Sequence, residues 1–220
     1  MSLQNSQREL PVLKVKSGAE LAAMVTEMGY TPGELFLKCR RPYADRYTST
    51  FRNHWLTDAT SFTIEGEAER VALLHQTIPE SVVSPVAMVK DGRIIAYLEE
   101  MVDGRTLRQY RNRVNALPKR EAIIPGDPIG LLVARVKLEF IHLGEELVQL
   151  LHRLNAVGIG HGDAHYSNTI VSKDGRLKLI DPLAPFSPYS LINHEESALK
   201  RDNYVIAVIE HEIGSLRRDM

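Results

Sequence analysis

The stretch Gly160–Pro182, GHGDAHYSNTIVSKDGRLKLIDP, constrains the fold more than any other part of the chain. Two apolar runs, TIV and RLKLI, flank Asp174-Gly175, a pair suited to the positive φ angles of a tight hairpin turn. Gly158, Gly160 and Gly162 oppose a helix through His161–His165, so the segment ahead of the hairpin reads as a loop. A loop bearing Asp163 and Asn168 is therefore followed by a hairpin that folds the chain back and carries Asp181 towards Asn168.

The same logic organises the rest. PVLKVK (Pro11–Lys16) and ELFLKC (Glu34–Cys39) read as strands, and Ala19–Met28 fits either a helix or a strand. Residues 40–60 form a polar loop. Ile64, Ala68, Val71, Leu74 and Ile78 recur at helical spacing and predict a helix over Ile64–Ile78 with that stripe buried. PVAMVKDGRIIAYLEE is a second hairpin, turned at Asp91-Gly92, and Asp103-Gly104 marks a further turn. Pro118, Pro125 and Pro128 predict irregular structure over residues 108–130. A helix follows within Val133–Leu154, with Leu147, Leu150, Leu151 and Leu154 on one face. Val205, Ile206, Ile209 and Ile213 predict a last helix over Asp202–Leu216. Strands first and helices second imply an α+β chain in two lobes: a flexible N-terminus over residues 1–10, a β-rich lobe over 11–100 and a short helical lobe over 101–220.

Composition narrows the function classes. The 220 residues carry a net charge of −1, which leaves no basic arm for nucleic acid. Arg40-Arg41 and the run Arg108–Arg113 read as solvated faces. A single cysteine, Cys39, expected half-buried on its strand, excludes an internal disulfide framework and a cysteine-rich zinc site. No apolar run is long enough to span a bilayer, and no cleavable signal peptide is visible. A soluble, monomeric cytoplasmic protein is the expectation.

Two chemistries compete for the opening stretch. A zinc site would use His161 and His165 with Asp163, but that i, i+4 spacing works on a helix, which the glycines oppose. Phosphoryl transfer needs a carboxylate near the attacking hydroxyl and oxygen ligands for Mg²⁺ on a triphosphate. Asp163, Asn168 and Asp181 satisfy that demand in that order.

On these residues the chain resembles the protein-kinase-like superfamily. HGDAHYSN (His161–Asn168) looks like its catalytic loop and LIDP (Leu179–Pro182) like its metal-binding segment. The resemblance implies a two-lobed protein-kinase-like fold with a β-rich N-lobe and a truncated helical C-lobe. It implies ATP and Mg²⁺ (or Mn²⁺) as cofactors, with Asp163 catalytic and Asn168 and Asp181 as metal ligands. It also asks for a strand lysine, here Lys38, paired with a helix glutamate. Glu65, Glu67 and Glu69 compete for that role; Glu67 lies within the apolar stripe, where an unpaired carboxylate is costly, and is chosen. Glu100, Met101 and Val102 in YLEEMVDG resemble the adenine-reading hinge, and Asp202 the helix aspartate that braces the catalytic loop.

Departures from the family pattern refine the expectation. There is no GxGxxG; a loop around Ser17–Glu20, with Gly18, is the substitute for covering the phosphates. Gly162 stands where regulated protein kinases carry an arginine that receives an activation-loop phosphate, so no such switch is expected. His165 and Asp181-Pro182-Leu183 are similar to small-molecule kinases. The short run from Asp181 to Met220 leaves no room for a large C-terminal platform, as in lipopolysaccharide-core sugar kinases, RIO-type kinases and minimal effector kinases. The near-neutral surface disfavours an anionic glycolipid and tips the balance to a protein Ser/Thr acceptor, with delivery out of a bacterium as the alternative to a cytoplasmic site of action. A small-molecule or lipopolysaccharide-sugar kinase and an ATP-binding pseudokinase interaction module are the other readings.

Overall fold

The structure, a computed structural model, describes residues 10–51, 54–57, 63–118, 128–183 and 191–220. It is an α+β chain that divides into two compact units, Met1–Ala72 with Ser84–Met101, and Leu73–Val83 with Val102–Met220. The division differs from a single cut after residue 100, because Leu73–Val83 group with the second unit. The N-terminal residues expected to be loose lie outside the described residues, apart from Leu10.

The first unit is built on a five-stranded mixed sheet of order β1-β4-β5-β2-β3. Its strands are β1 (Val12–Lys14), β2 (Leu35–Arg40), β3 (His54–Thr57), β4 (Pro85–Asp91) and β5 (Arg93–Glu100). β4 and β5 form the hairpin expected at Asp91-Gly92, and Gly92 takes the positive φ, 73°, that the turn requires. β2 pairs antiparallel with β5 and parallel with β3, so it is covered on both edges. Leu37 and Cys39 on one face and Lys38 and Arg40 on the other are all buried, so the strand is covered on both faces rather than half-buried. Leu21, Val25, Leu35, Tyr47, Phe51, Val89 and Leu98 complete the core, each buried large side chain contributing roughly 1.5–3 kcal/mol before entropy is counted.

Ala19–Met28 resolves as a helix, α1 (Gly18–Glu27). Ser17 Oγ accepts the Glu20 N–H at 3.2 Å while the Glu20 carboxylate accepts the Lys16 N–H at 2.7 Å, two bonds that hold the helix start. The expected loop over Ser17–Glu20 is therefore corrected to a helix N-terminus. The polar stretch 40–60 is more regular than expected where described, with α2 (Ala44–Tyr47), short 3₁₀ turns beside it, and β3. Tyr47 anchors it by burying its ring and donating its hydroxyl to Val15 O at 3.0 Å. Helix α3 (Thr63–Thr77) buries the expected stripe of Ile64, Ala68, Val71 and Leu74, with Ile78 just past its end.

Among its described residues the second unit holds three further helices and a small antiparallel sheet, β6 (Gly104–Thr106), β7 (Thr169–Ser172) and β8 (Leu177–Leu179). The hairpin expected at Asp174-Gly175 joins β7 to β8. The irregular stretch expected over residues 108–130 is corrected: α4 (Leu107–Asn115) occupies its start, with the Thr106 N–H donated to Gln109 Oε1 at 2.9 Å. Pro128 opens α5 (Pro128–Ala156) at a position where its missing N–H has no intrahelical partner to lose. Pro125 lies outside the described residues. Helix α6 runs over Leu191–Arg218, beginning well before Asp202. Its early buried positions are His194, Ala198 and Asp202, which carry little apolar signal and so hide the periodicity. Among the described residues no helix is long and apolar enough to cross a membrane.

Candidate functional site

Within the first unit Lys38 sits on β2, with its side chain 2 % exposed. Its Nζ lies 2.6 Å from Glu67 Oε1 on α3, the glutamate chosen from the apolar stripe. Burial explains the pairing. A lone ammonium or carboxylate in this interior would be strongly disfavoured, and each partner here satisfies the other. Tyr97 OH donates to the same Glu67 oxygen at 2.8 Å, and the Tyr97 ring centre lies 5.3 Å from Lys38 Nζ. A second carboxylate, Glu99 Oε1, stands 3.5 Å from the ammonium and is buried as well.

Tyr97 and Glu99 were not singled out from the sequence, yet a signal for both exists. Residues i and i+2 of a strand share a face, and the register sets Lys38 directly across from Tyr97 on β5. Glu99 is then the diagonal neighbour of Lys38. The hairpin at Asp91-Gly92 and the strand Leu35–Arg40 were both legible; their mutual register was not.

The expected nucleotide-reading residues fall in different surroundings. Gly18 is the first residue of α1, and a Cβ there would lie 2.5 Å from Thr50 Oγ1 and 3.0 Å from Arg46 O. That space is filled by the chain itself, so the glycine serves close packing of α1 and is no part of a loop. Glu100 ends β5, with its N–H donated to Ser84 O at 2.9 Å. The Met101 N–H is committed to Glu34 O at 2.9 Å, and Val102 follows in irregular backbone.

Within the second unit the loop before β7 is held by a dense set of bonds. Asp202, fully buried on α6, accepts the N–H of His161 at 2.6 Å and of Gly162 at 2.8 Å. The bond to Gly162 depends on its backbone, φ 78°, a region that disfavours side chains. An added Cβ would also stand 2.8 Å from Leu183 Cβ and 3.0 Å from Ala198 Cβ. A glycine ahead of Asp163 is thus a requirement of this loop's geometry.

Asn168 ties the remaining residues together. Its Nδ2 donates to Asp163 Oδ2 at 2.9 Å, Asp163 O at 3.1 Å and Asp181 O at 3.3 Å. All three partners are acceptors, so the amide orientation is determined and Oδ1 is the branch turned away from them. The Ile180 N–H returns to Asn168 O at 3.0 Å, the bond by which the hairpin brings Asp181 back. Asp181 itself has φ 52°, the sole non-glycine with a positive φ among the described residues, a conformation that costs about 1–3 kcal/mol and is concentrated at functional sites. Asp163 has its side chain 41 % exposed, with Oδ2 engaged by Asn168 and 3.8 Å from His165 Nε2. His165 Nδ1 accepts the N–H groups of Ser167 and Asn168, each at 3.2 Å.

The zinc arrangement is not formed. His161 is fully buried, with Nδ1 accepting the Asp163 N–H at 3.3 Å, while His165 is exposed. Among the described residues no group of three or more His, Cys, Asp or Glu side chains is placed to hold a metal ion.

A further anchor was missed from sequence. Tyr166 OH donates to Glu212 Oε2 at 2.8 Å, and Arg111 Nε donates to Glu212 Oε1 at 2.8 Å. The Arg111 guanidinium lies 5.1 Å over the Tyr166 ring, so part of the run expected as a solvated face is packed. Burial, then the bond to the Glu212 carboxylate, pushes the Tyr166 phenol well above its ordinary range. No protein-family model matches the chain, and no curated relative matches it.

Proposed function

We propose that this protein is a phosphotransferase of the protein-kinase-like kind, moving the γ-phosphoryl group of ATP to a hydroxyl acceptor. The observation that carries the reading is Asn168, whose Nδ2 bridges Asp163 and the backbone of Asp181 while Oδ1 is turned away. A carboxamide oxygen and an adjacent carboxylate are hard oxygen donors, the type that Mg²⁺ prefers. Asn168 and Asp181 would hold the metal, which when bound neutralises charge on the triphosphate.

The chain's own residues then have distinct roles. Asp163, partly exposed and oriented through Oδ2, takes the proton of the acceptor hydroxyl as its oxygen attacks phosphorus. The bond between phosphorus and the ADP oxygen breaks as the new P–O bond forms, and the proton passes from Asp163 to solvent. Lys38, positioned by Glu67, binds the α/β-phosphates. Asp202 and Glu212 keep the loop in one geometry, which matters because such groups act mainly by positioning. The acceptor favoured is a protein Ser/Thr hydroxyl.

The test is transfer from γ-labelled ATP in fractionated lysate, with wild type beside Asp163→Ala and Asp181→Ala. Label should appear with the wild type alone, in the protein fraction. Label in glycolipid or small solutes moves the acceptor class, and equal labelling by all three proteins would falsify the mechanism.

A further inference from the structure

Lys38 is held by two carboxylates where one suffices for positioning. Glu67 Oε1 is at 2.6 Å and Glu99 Oε1 at 3.5 Å, and all three side chains are nearly inaccessible to water. The two carboxylates differ in their surroundings. Glu67 Oε1 is shared with Tyr97 OH, so its place is fixed from two sides. Glu99 reaches the ammonium at the longer distance from the penultimate position of β5, immediately before Glu100 and Met101.

Resting on the phosphoryl-transfer reading, we infer that Glu99 is a specificity-determining residue that competes with the nucleotide's phosphates for Lys38 and sets how tightly phosphorylated nucleotides bind. A phosphate oxygen that takes a donor of Lys38 lies within a few ångströms of the Glu99 carboxylate, in a dry interior where like charges repel strongly. Nucleotide binding therefore weakens the Glu99 contact while the Glu67–Tyr97 arrangement keeps the ammonium in place. The repulsion acts on phosphate and not on the nucleoside, which separates it from a general effect on folding or pocket shape.

Calorimetric titration of wild type, Glu99→Gln, Lys38→Met and the double variant with Mg-ATP, Mg-ADP and adenosine tests this. Removing the charge should tighten Mg-ATP and Mg-ADP about tenfold, equivalent to about 1.4 kcal/mol, and leave adenosine unchanged. The gain should vanish in the Lys38→Met background, because it operates through the ammonium. Where Glu99→Gln does not fold, as judged by its thermal melt, Glu99→Leu supplies the same neutralisation without an amide to satisfy. Unchanged nucleotide affinity, or equal gains for adenosine, overturns the inference, while weakened but measurable Mg-ATP binding in Lys38→Met keeps the phosphoryl-transfer reading. If Lys38→Met binds Mg-ATP as wild type does, both fail.

Discussion

Asp202 holds two consecutive backbone N–H groups, those of His161 and Gly162, from a wholly buried position on α6. One carboxylate thus fixes the entry of the loop that carries Asp163. Truncation to alanine leaves two buried donors without a partner, each worth about 1–3 kcal/mol. Asp202→Ala should lower stability by roughly 3 kcal/mol or more in urea denaturation, with Asp202→Asn less affected because one amide oxygen still accepts. A loss below about 1 kcal/mol for Asp202→Ala would show that the loop relaxes without it.

Gly162 is the counterpart of that grip. Alanine would have to adopt φ 78° with its Cβ 2.8 Å from Leu183 Cβ. Gly162→Ala should destabilise by about 1–3 kcal/mol and reduce transfer more than its stability loss explains, since the strain is adjacent to Asp163. Thermal melts and initial rates measured on the same preparation check both parts.

Asp163 is less constrained, with its side chain 41 % exposed. Asp163→Asn should therefore keep the melting temperature close to that of wild type. If the phosphoryl-transfer proposal holds, the rate should fall by about 10²–10⁴-fold while Mg-ATP affinity changes little, because that proposal makes Asp163 the general base and gives the nucleotide to other residues. A variant that melts early, or that loses nucleotide binding, would assign Asp163 a structural role.

Alkaline pH offers a separate check. Burial pushes the Cys39 thiol up to about 11 from an ordinary 9.0, so the folded state favours the neutral form. Its contribution is complete below pH 9, where the thiol is neutral in both states, and is lost as pH rises from 9 through about 11. Stability should fall across that window, and Cys39→Ala should flatten that part of the profile at the expense of a lower plateau. Tyr166, whose phenol is raised further by burial and Glu212, adds a second decline above pH 10 that Tyr166→Phe should remove. Native Cys39 should also react negligibly with a thiol reagent at pH 8, where unfolded protein reacts fully.

Legibility in the sequence followed the range of the interaction. The hairpins at Asp91-Gly92 and Asp174-Gly175, the stripe of α3 and the loop of His161–Asn168 depend on neighbours a few residues away. The partner for Lys38 could be reasoned from burial, because Glu67 falls among Ile64, Ala68 and Val71 and needs a counter-ion. Helix α4 was hidden by prolines that lie beyond its end, and the start of α6 by polar residues on its buried face. Gly18 reads locally as part of a loop, since nothing near it in sequence reveals that residues 46–50 pack against it.

By itself the sequence determined the local frame: where the chain turns, which helical stripe is buried, and that Asp163, Asn168 and Asp181 lie on one loop and its returning hairpin. Turn dihedrals and side-chain periodicity are properties of adjacent residues, so they are written in short segments. Tertiary structure alone decided that Lys38 meets Glu99 as well as Glu67, that Tyr166 is anchored by Glu212, and that Cys39 is wholly enclosed. Each of those contacts depends on strand register or helix packing between distant segments, where a shift of one residue would present a different side chain.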